Sequence, residues 1–312
     1  MSPHKRQGPT RRLNYRLLNV FIDGDNPFSG NPLCVFEDAT GLSDDDMQSL
    51  ARQLNLSETT FITAGESGVS ANVRIFTPNY EMPFAGHPTL GTAHVVRALS
   101  GAGDLTGTGE TTDGGKVPED TILDDTVLLR MPAGDIPVRV SGSVWTLRAN
   151  APVSYPIDVS QADLSATVGL SADRVAAEPL WVDTGTIQLI LPLRTAKDVR
   201  AASADPKLLA QFAARPDGES LVYLWAPTGA DTIEARLFFT QNGAVIEDPA
   251  TGSACANLGG WFLANGQRGL RRRIRQGSAI QRPSVLDLEV TDGGTILVSG
   301  GVRDVGYGTF TL

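Results

Sequence analysis

Two cysteines, Cys34 and Cys255, and three histidines, His4, His87 and His94, are all that 312 residues supply. Two cysteines build no disulfide scaffold, and no Cys/His group has the spacing of a zinc site. Three scattered histidines exclude a histidine-rich metal centre. Aromatic residues reach only 6% and the net charge is −9, which argues against a nucleic-acid surface spread over the molecule. Long apolar runs are missing too: no stretch approaches the roughly 18 residues of a membrane span. The basic start MSPHKRQGPTRR lacks the apolar core of a secretory leader, so residues 1–13 read as a frayed tail and the cytoplasm as the location. Gly101-x-Gly103 has neither the third glycine nor the following helix of a dinucleotide loop. A Gly-x-Ser-x-Gly elbow, the mark of one large class of serine hydrolases, is absent as well.

What is present points to a folded protein of two parts. A domain usually takes roughly 100–200 residues, and a hydrophobic fraction of 41% is enough for sizeable cores. Glycine, at 33 residues, exceeds the ~7% average without any Gly-X-Y period, which predicts many turns and close backbone approaches. Tyr15, Leu17, Asn19 and Phe21 share one face of a first strand, and Leu33–Phe36 reads as a buried one. Ser43 and Asp46 resemble a capping box ahead of a helix carrying Met47, Leu50, Ala51 and Leu54. Strands are predicted at 59–63, 73–77, 127–131, 138–149, 221–225 and 233–239, and Asp205-Pro206 opens a helix. The Gly-, Thr- and Asp-rich stretch 101–125 reads as a surface insertion or long hairpin loop.

One internal echo matters more than any single element. Arg74-Ile-Phe-Thr-Pro leads through Glu81 to Ala85-Gly-His-Pro-Thr-Leu-Gly and a helix; Arg236-Leu-Phe-Phe-Thr leads through Glu247 to Ala250-Thr-Gly-Ser-Ala and another, about 165 positions later. Pro88 suits the first helical position in one copy and Ser253 the N-cap in the other. A duplicated fold with one helix N-terminus per half follows. Such ends carry unpaired N–H groups and about half a positive charge, so two of them facing across a cleft would grip an acidic substrate. The groups near these turns able to move or hold protons are Glu58, His87 and Asp248, with Ser253 as a hydroxyl donor. Each also has an ordinary reading: a solvated or capping glutamate, a helix-capping histidine, a turn aspartate and a plain N-cap.

Several segments together make the sequence recognisable. Gly30-Asn31-Pro32, Asn55-Leu-Ser-Glu-Thr-Thr-Phe61, Phe76-Thr-Pro78, Pro83-Phe-Ala-Gly-His-Pro-Thr-Leu-Gly91 and Glu247-Asp-Pro-Ala-Thr-Gly-Ser253 occur in order. Gln276-Gly277, Arg282-Pro283-Ser284 and Val298-Ser-Gly-Gly301 follow. With them, from about residue 15 to the end, the chain resembles the phenazine-biosynthesis isomerase (PhzF-like) family within the diaminopimelate-epimerase-like fold. The resemblance implies an α+β fold of two similar halves, each a curled, mostly antiparallel sheet around a central helix, with the last strand returning to the first half. The expected division is 14–133 plus 299–312 against 134–298. It further implies a homodimer, no cofactor and no metal, and a small carboxylated substrate such as the trans-2,3-dihydro-3-hydroxyanthranilate of the namesake enzyme. Glu58, His87, Asp248 and Ser253 take the family's catalytic positions, Glu58 as the proton shuttle, with Gly86, Thr251 and Gly252 lining the substrate. Nucleic-acid and membrane partners are not expected.

The related two-base epimerases carry a thiol at each glycine turn. Here those positions correspond to Ala85 and Thr251, so Cys34 and Cys255 read as packing residues rather than a racemase pair. Asp183-Thr-Gly-Thr186 imitates an aspartic-protease loop, but that chemistry needs two such aspartates and only one is present. Arg268, Arg271, Arg272, Arg273 and Arg275 form a run without interleaved acids, read as a solvated loop or a dimer contact. Two other functions stay open at this level: a non-catalytic small-molecule-binding or scaffold protein of the same fold, and a hydrolase or lyase using Glu58 as base.

Overall fold

The computed structural model describes residues 11–101, 126–215 and 218–312. The first ten residues of the expected tail, and positions 102–125 of the expected insertion, lie outside the described residues.

The first half runs β1 (Arg12–Val20), β2 (Asn31–Phe36), α1 (Asp44–Leu54), β3 (Thr59–Ala64), β4 (Ala71–Phe76), β5 (Glu81–Met82), α2 (Gly86–Leu99), β6 (Thr126–Met131), β7 (Gly134–Ser141) and β8 (Val144–Arg148). The second runs β9 (Val153–Pro156), α3 (Gln161–Ala166), β10 (Leu180–Asp183), β11 (Ile187–Pro192), α4 (Ala196–Ala201), α5 (Pro206–Phe212), β12 (Leu221–Pro227), β13 (Thr232–Gln241), β14 (Ala244–Asp248), α6 (Gly252–Ala264), β15 (Leu270–Gln276), β16 (Ser284–Val290) and β17 (Ile296–Thr311).

Strand pairing closes the first half on itself. β1 pairs with β2, β2 with β3, β3 with β4, β4 with β6, β6 with β7, β7 with β8, β8 with β17, and β17 returns to β1. Only β2–β3 and β4–β6 are parallel. The second half repeats this pattern: β11–β12 and β13–β15 are its parallel pairs, and the remaining neighbours from β9 to β17 are antiparallel. By pairing, β7 and β8 complete the first barrel, so residues 134–148 go with the first half.

Each barrel is filled by a helix that is apolar nearly all round, as a fully enclosed helix must be. Leu90, Ala93 and Val95 of α2 and Cys255, Leu258 and Trp261 of α6 are buried in one continuous core that spans both halves. Small residues make the fit possible. A Cβ on Gly91 would lie 2.5 Å from Leu33 Cδ2, and one on Gly260 2.6 Å from Val182 Cγ1. Outside the barrels, Met47 and Leu50 of α1 cover Cys34, Phe36 and Phe61, while Leu164, Val199 and Leu209 of α3–α5 cover Leu189, Leu191 and Val222. Strands β2 and β11 are therefore buried on both faces; Leu33–Phe36 of β2 reads as an unbroken apolar run, whereas Gln188 interrupts β11, a strand not predicted from the sequence.

Several local expectations are corrected. β1 starts at Arg12, opposite Thr311, and Arg11 exchanges two backbone hydrogen bonds with Leu312; partnership with the chain end, invisible to apolar periodicity, orders residues assigned to the tail. The single strand expected over 138–149 is a hairpin turning at Gly142-Ser143, with Gly142 at φ 58°; alternation runs unbroken through both arms and hides the turn. The arginine run is the strand β15, not a loop. Its acids come from other segments: Arg271 pairs with Glu289, Arg272 with Asp231, Arg273 with Asp287 and Arg275 with Asp23. The capping box at Ser43/Asp46 and the Asp205 cap form as expected.

Candidate active site

The internal echo is a physical repeat. Arg74 grips Glu81 through Nε and Nη2 at 2.7 and 2.6 Å, and Arg236 grips Glu247 through the same atoms at 3.0 and 2.7 Å. Both forks are two-point, charge-assisted bonds, and each guanidinium also lies over a phenylalanine, Phe76 or Phe238. Register matches as well, with Glu81 opposite Phe76 and Glu247 opposite Phe238. Each fork fixes a hairpin that delivers the chain into the central helix five residues later. Equivalent positions have diverged: Met82 against Asp248, Ala85 against Thr251, His87 against Ser253. Between the fork and the helix start, the proline Pro83/Pro249 and the glycine Gly86/Gly252 are common to both.

The two helix starts meet head to head: a Cβ on Gly86 would lie 3.7 Å from Cα of Gly252. α2 begins at Gly86, placing Pro88 third rather than first, and α6 begins at Gly252 with Thr251, not Ser253, as N-cap. Neither N-cap makes a side-chain capping bond, whereas α1, α3, α4 and α5 are capped by Ser43, Ser160, Thr195 and Asp205. First-turn N–H groups have no acceptor inside a helix. At the two central helices no side chain of the N-cap takes them up.

Glu58, His87 and Asp248 converge at this junction. Glu58 Oε2 lies 3.5 Å from His87 Nε2, the side chains 17% and 6% exposed. The two atoms are not aligned as a hydrogen bond, and both are buried without a partner. Burial raises the Glu58 carboxyl to about 7, against a smaller lowering by the Ser57 hydroxyl. Burial also lowers His87 to about 4, although Asp248 and a hydrogen bond to the Pro32 backbone favour its charged form. Asp248 is raised to about 6 by burial, opposed by the Thr251 hydroxyl bond. Near neutral pH the histidine is thus uncharged and the glutamate is balanced between its two forms.

Asp248 is therefore no simple turn residue. Its carboxylate accepts from Thr251 Oγ1 and, at 3.1 Å, from Asn31 Nδ2, which also donates to the Ala250 carbonyl at 2.9 Å. Gln276 Nε2 donates to the Asp248 carbonyl and to Thr251 Oγ1, both at 2.9 Å. Arg282 reaches across from the other half to the Gly30 carbonyl through two bonds of 3.0 and 2.9 Å, fixing the turn that presents Asn31. Phe21, with φ 65°, fits against Gly300 and sets its ring beneath Gly252, where a Cβ would lie 3.2 Å from Phe21 Cζ. A strained non-glycine residue held by its neighbours at such a place is typical of functional sites. Ser253 accepts from Gln188 Nε2 at 3.1 Å.

All seven residues expected at the site, Glu58, Gly86, His87, Asp248, Thr251, Gly252 and Ser253, gather at or beside this junction. Asn31, Gln276 and Arg282 were visible only as parts of motifs, without roles. Gln188 was missed; its signal is a lone amide inside the apolar strand Ile187-Gln-Leu-Ile-Leu. Both thiols are packing residues, as read from the sequence. Burial pushes Cys34 up to about 12 and Cys255 well above its ordinary value.

A family model described as "Phenazine biosynthesis-like protein" matches residues 19–301. The chain belongs to this family. Over 297 residues it is 39% identical to an uncharacterized isomerase of Pasteurella multocida, covering 94% of this chain and 92% of that protein. It is 30% identical over 306 residues to the trans-2,3-dihydro-3-hydroxyanthranilate isomerase of Pseudomonas fluorescens, covering 96% and 99%. A PhzF-family phenazine biosynthesis protein of Bacillus anthracis shares the fold, with a TM-score of 0.78 at 20% identity over 97% of this chain and 100% of that one. This member of the phenazine biosynthesis-like family is an isomerase. Among the described residues no helix is long and apolar enough to cross a membrane.

Proposed function

We propose that the protein is a cofactor-independent isomerase that moves a proton, and with it a double bond, in a small carboxylated ring of the trans-2,3-dihydro-3-hydroxyanthranilate type, with Glu58 as the shuttle. The observation that carries this reading is Glu58 itself. It is a buried carboxyl with an unpartnered oxygen, poised at about 7 and 3.5 Å from His87 in the first turn of α2. A binding module has no use for that group, which costs stability at neutral pH. A carbon base works best with a pKa near the operating pH.

The steps follow from the geometry. Glu58 as carboxylate removes a proton from a ring carbon, and the released electron pair delocalises through the adjacent double bond. The same carboxyl, now protonated, returns the proton to the far carbon of that system and is regenerated. Atoms and charge balance without a second base, which fits the divergence of the two halves at positions 82/248 and 87/253. Ser253 and the first-turn amides of α6 hold the substrate carboxylate. His87, neutral and tied back to Pro32, and Asp248 orient the amino or hydroxyl groups.

The pH profile tests this directly. Glu58 must start as carboxylate, so kcat/KM for trans-2,3-dihydro-3-hydroxyanthranilate should rise with pH and level off above about 7. His87 contributes no further change there, since it loses its proton already near pH 4, whereas Asp248, raised to about 6, ionises within the same range, so the Glu58 step is the one near 7. A profile flat between pH 5 and 8 would remove Glu58 from the role.

A further inference from the structure

The Asp183-Thr-Gly-Thr186 loop that imitates a protease motif has a different use. Asp183 Oδ1 accepts from the Gly185 amide at 2.7 Å and holds the turn into β11. Thr184 Oγ1 and the Thr186 carbonyl then both engage Asn257, on the face of α6 inside the barrel, at 2.7 and 2.8 Å. Asn257 passes the contact on to Gln188 Oε1 at 2.8 Å, and Gln188 Nε2 meets Ser253 Oγ at 3.1 Å. Asn257 is fully buried and Gln188 3% exposed, so no solvent competes for these bonds.

The direction of every bond in this chain is fixed at one end. A backbone carbonyl only accepts, so the atom of Asn257 facing Thr186 must be its NH2 group. The second proton of that group then points at Gln188, which must present its oxygen there and its own NH2 to Ser253. Amide orientations, usually a matter of assignment, are here dictated by the Thr186 carbonyl. Ser253 Oγ therefore accepts a hydrogen bond from Gln188, and its own hydroxyl proton is directed elsewhere. It joins the first-turn amides of α6 as a donor.

The structure assigns Gln188 as a positioning residue that holds Ser253 as a donor to the substrate carboxylate, through an amide relay anchored on the Asp183–Thr186 loop. This rests on the reading of Ser253 given under the proposed function. Without the relay, the Ser253 hydroxyl could turn its proton inward and present lone pairs to an anion. Specificity for a carboxylate over an otherwise equal ligand would then fall.

The test compares binding of two probes to the full chain, 3-hydroxyanthranilate and its carboxyl-free counterpart 2-aminophenol. Gln188→Glu leaves only acceptors facing Ser253 and draws its proton inward; Gln188→Met removes the donor at similar length. Gln188→Glu should weaken 3-hydroxyanthranilate at least tenfold and Gln188→Met several-fold, with 2-aminophenol changed less than twofold by either. In a Ser253→Ala background Gln188→Glu should add less than twofold. Equal weakening of both probes by both variants would mean a structural role only and overturn the assignment. If Ser253→Ala loses carboxylate selectivity and neither Gln188 variant does, the relay fails while the carboxylate site stands. If the wild type binds 3-hydroxyanthranilate no better than 2-aminophenol, the carboxylate site fails and the assignment with it.

Discussion

Glu58→Gln is expected to lower kcat for trans-2,3-dihydro-3-hydroxyanthranilate by about 10³-fold or more, with ligand affinity held within a few-fold. General acid–base groups contribute typically 10²–10⁴-fold, and here one group performs both transfers. The same substitution should stabilise the protein. Burial raises the Glu58 carboxyl from 4.5 to about 7, so its contribution to stability is fully present below pH 4.5 and is lost as pH rises through 7. At about 1.4 kcal/mol per unit, the ionised carboxylate costs on the order of 3 kcal/mol above that range. Glutamine mimics the protonated form. The variant should therefore unfold at higher denaturant than the wild type at pH 8, by roughly that free energy, and at the same concentration near pH 4. An inactive variant with no pH-dependent gain in stability would contradict the burial argument. A stabilised but fully active one would contradict the catalytic argument.

Gly277→Ala is expected to destabilise by about 2–4 kcal/mol and to impair turnover, although Gly277 carries no side chain. Its φ is 78°, and a Cβ there would lie 2.5 Å from the Pro249 carbonyl oxygen and also press on that of Arg282. Neither atom is the tip of a flexible side chain, so the backbone must move. What moves is the loop carrying Asp248 together with Gln276, which holds Asp248 and Thr251 in place. Gly243 provides the control, because it has the same φ of 78° with nothing within 4 Å of its Cβ position. Gly243→Ala should show only the left-handed strain, about 1 kcal/mol. Equal losses for the two variants in urea denaturation would dispose of the close-approach argument.

The parts of the fold legible in the sequence are those governed by local pattern. The Ser43/Asp46 box, the Asp205 cap and the buried run of β2 depend on residues adjacent in the chain. The duplicated hairpins were legible because each half carries an arginine, then a glutamate, then a glycine five residues after that glutamate at the start of a helix. Features set by distant partners were not. β1 gains its first residues from β17, almost 300 positions away, and the acids of the arginine strand come from β16, the loop before β13 and the β1–β2 connection. At the site, Glu58, His87, Asp248 and Ser253 were recognisable as a set. Both helix starts were misplaced by two residues because Pro88 and Ser253 look like end signals, whereas the actual N-caps, Ala85 and Thr251, make no side-chain capping bond. Gln188 escaped notice because its role exists only through Asn257 on another element.

The central claim is that one buried carboxyl carries the proton, and its most direct test is NMR of trans-2,3-dihydro-3-hydroxyanthranilate conversion in D2O. With the wild type, deuterium should enter the carbon that receives the proton, by way of the exchangeable Glu58 carboxyl. With Glu58→Gln, a ring that still binds should gain none. Undiminished deuterium incorporation by that variant would contradict the account.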